Sequence, residues 1–380
     1  MRPLIWKVIS SLGELNEHHD QATENPMKTN TSLFRSIAAA VAVAFGAAPQ
    51  TSFGQTTSAT TPSGFVTMSV SGTGGKKPTA YTFTSLGLVN PIAFQSTTTT
   101  SVGGTTIIAD TSATWANNAY NSATAGAPPT HFVEILSGPA AGSMHDIVTT
   151  DGSAKSLTVS PALAAGVTAG VSYAIRPHWT LASVFGTGAS VVLQGGDSTT
   201  ADQVQLWRGT GFVSYFYNTG RGFLGWVQNG NATVDASATV LYPEDGIVIA
   251  RNQSAGVNVV LNGVVKTGQT LMTVQTGYSL LGNVYASGMT LGNSNIFTND
   301  PATGVASGDS TTADQLMFWN GTGFVSYFYN TGRGFRGWVQ NGNASVDAST
   351  TAIPTGTAIF IQRNGAPFTW VAPQFPATFN

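Results

Sequence analysis

From about Gly64 onward, short runs of β-branched and aromatic residues alternate with clusters of Gly, Asn, Asp, Ser and Pro. The clearest runs are FVTMSV, THFVEIL, SLTVS, VSYAIR, SVVLQ, VQLW, FVSYFY, FLGWVQ, GIVIAR and VNVVLNGVV. Apolar runs of this length, bounded by turn formers and recurring every roughly 8–12 residues, predict strands. The expected class is all-β, with antiparallel sandwich or barrel-like sheets rather than alternating strands and helices. Beyond Gly54 no segment sustains a helical apolar period over three turns. The best helical candidate is SPALAAGVTAG, residues 160–170, which is short and bounded by glycine.

An internal repeat dominates the second half. Residues 196–235 and 308–347 align without a gap, and GFVSYFYNTGRGF is common to both. They differ only at Val204/Leu316, Gln205/Met317, Leu206/Phe318, Arg208/Asn320, Leu224/Arg336 and Thr233/Ser345. The likeness runs on to IVIARN and IFIQRN, and WTLASVF and MTLGNSNIF form similar lead-ins. This reads as a tandem of units about 110 residues long, the second truncated; a solenoid needs three or more. The expected organisation is a linker or first strand over 55–82, an N-terminal β domain over 83–190, a first repeat over 191–307 and a second over 308–380.

The substitutions suggest which face of each repeat is buried. Val204 and Leu206 exchange for other apolar residues, so they face a core, and alternation places Trp207 with Gln205 on the opposite side. Leu224 exchanges with Arg336, a change that an unpaired dry core excludes. A three-stranded meander is expected, with tight turns at RGTG and NTGRG. Its apolar face would hold Val204, Leu206, Phe212, Phe216, Phe223 and Val227. Its other face would carry Trp207, Tyr215, Tyr217, Trp226 and Gln228, and in the second copy Trp319, Tyr327, Tyr329, Trp338 and Gln340. Tyr and Trp do well half wet. Such a face is either a platform for sugar rings, with Arg221 and Arg333 bonding hydroxyls, or a packing surface against the partner repeat, the N-terminal domain or another subunit. Near-identity of the copies fits a protected surface or a recent duplication.

The chain near the N-terminus changes the picture of location. From Met27 the positive residues Lys28 and Arg35 precede an apolar stretch over 36–48, then small residues at Ser52 and Gly54. This predicts a signal peptide over 27–54 with cleavage after Gly54, its apolar run too short for a permanent span. Residues 1–26 fit no signal peptide and read as an over-called start. Bacterial export to a periplasm, the cell surface or the medium is expected.

Charged residues make up only 8% of the chain and the net charge is -2, against about 25% charged in ordinary domains. With no basic stripe, nucleic acid is not an expected partner; glycan or another copy of the chain is. There is no cysteine, which excludes disulfides and thiolate chemistry. No resident cofactor is expected. GDS, at Gly196 and again at Gly308, resembles a hydrolase nucleophile block, yet His131, His145 and His178 all lie upstream and no triad is expected. GDSTTAD offers Asp197, Ser198, Thr199 and Asp202 as candidate calcium oxygens; the competing reading is a capped Gly-Asp turn. Asp197, Asp202 and Asp235, with their copies Asp309, Asp314 and Asp347, look architectural. Glu134, Asp146, Glu244 and Asp245 remain as candidates for a glycosidase pair, and nothing in the sequence brings two of them together. YPEDG reads as a turn, and His178 as a rim residue or a ligand.

The succession VEILSGPAAG, DIVTTDG, AGVTAGVSYAIRPHWTLASVF, TADQVQLWRGTGFVSYFY and GIVIARN resembles a family of secreted, multi-copy proteins known mainly from verrucomicrobial genomes. The resemblance covers roughly residues 83 to 380 and implies export and an all-β fold. It brings no established activity and therefore no site residue. The sequence thus points to a secreted, non-enzymatic β protein of the cell surface or matrix that binds glycan or self-assembles through an aromatic sheet face. The alternative is a polysaccharide-acting hydrolase whose carboxylates converge only in the fold.

Overall fold

A computed structural model describes residues 62–74, 79–97, 99, 101–103, 107–163, 167–285 and 288–374; the expected signal peptide lies outside the described residues. The strands of the first part are β1 (Ser63–Val70), β2 (Ala80–Thr84), β3 (Phe94–Ser96), β4 (Ser101–Gly103), β5 (Ile107–Ala109), β6 (His131–Ile135), β7 (Met144–Asp151), β8 (Ser156–Ser160), β9 (Tyr173–Pro177) and β10 (Trp179–Thr180). A single turn of helix, α1 (Leu181–Phe185), leads into β11 (Gln203–Trp207), β12 (Phe212–Asn218), β13 (Gly225–Gln228), β14 (Val240–Leu241), β15 (Ile247–Arg251) and β16 (Val257–Val264). Then come β17 (Thr270–Val274), β18 (Gly277–Gly282), β19 (Gln315–Trp319), β20 (Phe324–Asn330), β21 (Gly337–Gln340), β22 (Ala358–Arg363) and β23 (Phe368–Ala372). The fold is all-β and its named strand pairs are antiparallel.

Three sheets organise the described chain. The first runs β3-β9-β6-β7-β8-β5-β4. One of its faces packs Val133, Ile135, Ile147, Tyr173 and Ile175 beneath Trp115. Its register puts Phe132, Glu134, Asp146 and Arg176 on the opposite face. There Glu134 accepts a hydrogen bond from Arg176 Nε at 3.0 Å and another from Lys266, which follows β16. Burial alone would raise the pKa of Glu134, but the two cations hold it below the usual carboxylate range. Such a pair is costly to break from one side, so this triad ties the first sheet to the chain beyond it.

The other two sheets have matching orders, β13-β12-β11-β15-β2 and β21-β20-β19-β22-β18. Each is completed by a strand from outside the expected repeat core, β2 in one and β18 in the other. A two-stranded ribbon covers one face of each, β1–β16 over the first and β17–β23 over the second. In the first core Val204, Leu206, Tyr215, Trp226 and Ile249 meet Met68, Val259 and Leu261 of the ribbon. In the second, Leu316, Trp338 and Ile361 meet Met272, Val274 and Trp370. Helix α1 plugs the first core with Leu181 and Phe185. Its start is a capping box: Thr180 Oγ1 accepts from the Ser183 N–H at 3.2 Å, and Ser183 Oγ accepts from the Thr180 N–H at 2.8 Å. It stops at Gly186, where φ is +84° and any Cβ would lie 2.2 Å from the Ser190 carbonyl oxygen.

Several expectations change here. Among the described residues the helix is at Leu181–Phe185; of the 160–170 stretch, Ser160 ends β8 and residues 161–163 and 167–170 are not helical. SVVLQ is a connection rather than a strand: Val192 N–H bonds the Phe185 carbonyl at 3.0 Å and Leu193 drops into the core. The largest correction concerns faces. The three-stranded meander forms in both copies, but Trp207 pairs with Phe212, Val204 with Tyr215, and Tyr217 with Trp226. Opposed residues share a face. Tyr215, Tyr217 and Trp226 therefore join Val204 and Leu206 on the buried side, while Trp207 shares the outer side with Phe212, Phe216 and Val227. Grouping residues by chemistry had ignored the hairpin register, which the β11–β12 loop sets.

The outer faces of the two repeat sheets meet each other. Trp207 Nε1 donates to the Tyr278 carbonyl at 2.9 Å and its ring lies 5.7 Å from Phe360. Trp319 lies 5.3 Å from Phe83 and 5.2 Å from Phe324. Val248, Leu280 and Ala358 fill the space between.

Candidate functional sites

The expected aromatic platform is largely inside the molecule. Trp226 is 0% exposed and Trp338 4%. Trp226 Nε1 donates to the Gly186 carbonyl at 2.8 Å, and Tyr217 accepts from the Gly188 N–H at 2.7 Å. Tyr329 stacks on Phe297 with centroids 3.5 Å apart. Tyr215 is buried and Tyr327 half-buried within the same cores. Trp207 and Trp319 are half-buried between the repeat sheets. Of the expected ligand-binding residues, Arg221, Arg333, Gln228 and Gln340 are exposed.

Arg221 belongs to a groove of about 500 Å³ lined by Asp197, Ser198, Phe216, Asn218, Gly220, Arg221, Asn229, Gly230 and Ala232. The GDS and NTGRG motifs, remote along the chain, build it together. Asn218 Nδ2 donates to the Arg221 and Phe223 carbonyls at 2.7 and 2.8 Å and its Oδ1 accepts from the Gly220 N–H, so one side chain shapes the loop. Gly222 has φ +93°, and a Cβ there would strike the Ala232 carbonyl oxygen at 2.4 Å. The second copy repeats these bonds: Asn330 Nδ2 donates to the Arg333 and Phe335 carbonyls at 2.8 Å each. Every lining residue has an identical counterpart there, and all six differences between the copies fall at other positions. Beside each arginine loop stands an exposed ring, Phe223 at 36% and Phe335 at 38%, although Phe223 was expected on the apolar face. Each lies over a glycine, Gly225 or Gly337, whose missing side chain leaves room for it. The Leu224/Arg336 exchange one residue on was the available signal that this turn is wet.

The acidic residues of the repeats take separate structural roles. Asp197 Oδ1 accepts from the Thr199 hydroxyl and N–H and from those of Thr200, at 2.7 to 2.9 Å. These bonds, with Thr199 foremost, lower its pKa to about 2, and Asp309 is held likewise. Asp202 is fully buried and paired with Arg251, as Asp314 is with Arg363. The candidate calcium set is thus divided between an exposed capped turn and a buried ion pair. Asp235 and Asp347 each cap a turn through the N–H two residues on, at 2.8 Å. Among the described residues no group of three or more His, Asp or Glu is placed to hold a metal.

A second site lies where the first sheet meets the first repeat. A pocket of about 320 Å³ is lined by Phe132, His145, Asp146, His178, Tyr242, Glu244, Leu271 and Leu281, among others. Asp146 Oδ2 accepts from the Tyr242 hydroxyl at 2.9 Å, and Oδ1 lies 3.0 Å from His178 Nε2. Among the described residues neither ring nitrogen of His178 has a hydrogen-bond partner, although its side chain is only 1% exposed. His145 is engaged elsewhere, with Ser143 and the Pro161 carbonyl. Arg208 bonds Asp245 twice, at 3.0 and 3.2 Å. Glu244 Oε2 is buried with no partner. Desolvation first, then the neighbouring Asp245 and, more weakly, Asp146 raise the pKa of Glu244 to about 7. Asp146 and Glu244, which nothing in the sequence brought together, thus share one pocket, because β7 and the turn after β14 meet across the junction.

No known protein family, no curated protein and no solved structure matches the chain. Among the described residues no helix is long and apolar enough to cross a membrane.

Proposed function

We propose that this is an exported, non-enzymatic β protein of the cell surface or matrix that binds glycan through its duplicated loop groove. One observation carries this reading: every residue lining the groove of the first copy recurs in the second, while all six differences between residues 196–235 and 308–347 lie elsewhere. The chemistry suits a polyhydroxylated, uncharged or weakly acidic chain. Arg221 and Asn229 supply planar hydrogen-bond donors, Asp197 an ionised acceptor, and the exposed Phe223 ring an apolar face for sugar C–H groups. Two such sites on one chain favour a repeating polymer, since the second engagement gains from effective concentration.

Strand-to-strand assembly at these edges is less well supported. The outer edge of β13 is already occupied by its own loop: Trp226 carbonyl accepts from the Ala236 N–H at 2.8 Å, and Trp338 from Ala348 at 2.8 Å. Covered edges do not template another chain. The hydrolase alternative calls for an acid pair in a cleft that admits a polymer, whereas Asp146 and Glu244 line a pocket at the small-molecule end of the range.

Glycan-array binding followed by calorimetry on the full chain tests the proposal. Arg221→Ala or Arg333→Ala should each weaken binding to a polymeric glycan by roughly 100-fold through lost avidity, and the double variant should abolish it. Absence of any glycan signal from the unaltered protein, or an undiminished signal from the double variant, would rule the groove out.

A further inference from the structure

In an Asn-Gly pair the glycine nitrogen can attack the asparagine side-chain carbonyl, because no side chain on the glycine shields it. The chain holds five such pairs, beginning at Asn229, Asn262, Asn320, Asn341 and Asn364. The fold treats them differently.

Three are locked. Asn262 and Gly263 lie in the β1–β16 ladder opposite Phe65 and Gly64. Asn320 Oδ1 accepts from the Thr322 N–H and hydroxyl, both at 3.0 Å, and from the Gly323 N–H at 2.9 Å. Asn364 donates its N–H to Asp314 Oδ1 at 2.8 Å and its Nδ2 to the Ala313 carbonyl at 3.3 Å. Bringing side chain and following nitrogen together would disrupt the ladder in the first case and these bonds in the other two.

The remaining two occupy the same position in the two copies of the repeat. Asn229-Gly230 and Asn341-Gly342 form the turns after β13 and β21, where the Gln228 and Gln340 carbonyls accept from the Asn231 and Asn343 N–H groups at 2.9 and 3.0 Å. Asn229 and Asn341 are exposed. Among the described residues neither their side chains nor the Gly230 and Gly342 N–H groups have a hydrogen-bond partner. Both glycines have positive φ, +88° and +87°, and the space beside each is open. A glycine there has the backbone latitude that the attack requires.

We propose that Asn229 and Asn341 are sites of spontaneous deamidation, and that their conversion weakens the hold of the groove on glycan. The glycine nitrogen gives up its proton and forms a bond to the asparagine Cγ. The Cγ–Nδ2 bond breaks, and Nδ2 leaves with that proton as ammonia. Water then opens the cyclic imide at either carbonyl, giving aspartate or its β-linked isomer, with no oxidation or reduction. Asn229 lines the groove together with the ionised Asp197. A carboxylate at 229 replaces an amide donor by an acceptor and adds negative charge to the groove. This consequence rests on the glycan reading of the groove; the deamidation itself does not.

Incubation of the full chain at pH 8 and at pH 6, followed by peptide mass mapping and isoelectric focusing, tests the modification. Conversion should appear at Asn229 and Asn341 well before Asn262, Asn320 and Asn364. It should be faster at pH 8, where more of the attacking nitrogen is deprotonated. Asn229→Gln combined with Asn341→Gln should keep its charge pattern through the same incubation, because the longer side chain closes a ring less readily. The converted chain, and Asn229→Asp combined with Asn341→Asp, should bind a polymeric glycan about tenfold more weakly than the fresh chain, the scale of a lost hydrogen bond. No conversion at Asn229 and Asn341, or equal conversion at all five pairs, would overturn the assignment. Undiminished glycan binding by the converted chain would overturn the consequence. If the fresh chain binds no glycan, the glycan reading fails and takes the consequence with it, while the peptide map still decides the modification. That map needs only the unaltered protein and stands even if a variant fails to fold.

Discussion

The two copies of the repeat share their groove loops and part company at the turn that follows β14. The residues that line the groove of the first copy recur in the second, with the same loop hydrogen bonds. The turn that follows β14 in the first copy reads YPEDG and lines the junction pocket; the corresponding segment of the second reads PTGTA. Arg208, which neutralises Asp245 in the first copy, is Asn320 in the second, where there is no such acid to neutralise. Asn320 instead caps its own turn through the Thr322 and Gly323 N–H groups. At the turn after β14 the two copies differ because their neighbours differ.

This contrast can be broken at several strengths. The largest effect should come from the indoles shared by both cores: Trp226→Ala and Trp338→Ala should each cost about 3–5 kcal/mol, read as a shift in denaturant midpoint. If either change proves nearly neutral, the assignment of those rings to the interior is wrong.

Next comes the junction, where only the first copy should respond to pH. In the fold Glu244 keeps its proton up to about pH 7, whereas in the unfolded chain it ionises at roughly 4.3. Stability is therefore full below the unfolded value and declines as pH rises toward 7. Glu244→Gln should remove that decline and be more stable than the unaltered protein at pH 8 by about 3–4 kcal/mol, with little difference at pH 4. A flat pH–stability curve for the unaltered chain would contradict the burial assigned to that carboxyl.

The capped turns should behave alike in the two copies. Asp197 and Asp309 are held near 2, below the ordinary value of roughly 3.9. Their contribution is present above pH 4 and lost as pH falls toward 2. Asp197→Asn and Asp309→Asn should each flatten the acid limb by a small and equal amount in acid-unfolding titrations. The smallest effect is expected from exchanging the copies at the exposed turn: Leu224→Arg and Arg336→Leu should stay within about 0.5 kcal/mol of the parent.

Much of this architecture is written locally. The β-branched runs and their Gly, Asn and Asp boundaries determine strands because pleat, burial and turn chemistry all act within a few residues. The repeat, the meander and the structural character of Asp202 and Asp314 follow from the same local signals. Face assignment fails at Trp226 because it depends on hairpin register, and a slip of one residue turns every side chain over. The SVVLQ run fails as a strand because Gly186 and Gly188 bend the chain into a connection first.

What the sequence by itself determined is the all-β class and the near-identity of residues 196–235 and 308–347. Both rest on neighbours in the chain or on one copy matching the other. Only the tertiary structure decided which aromatic rings are buried, that β2 and β18 complete the two repeat sheets, and that Asp146, His178 and Glu244 share a pocket. The physical reason is that each of these depends on pairing or packing between distant segments, which no local pattern encodes.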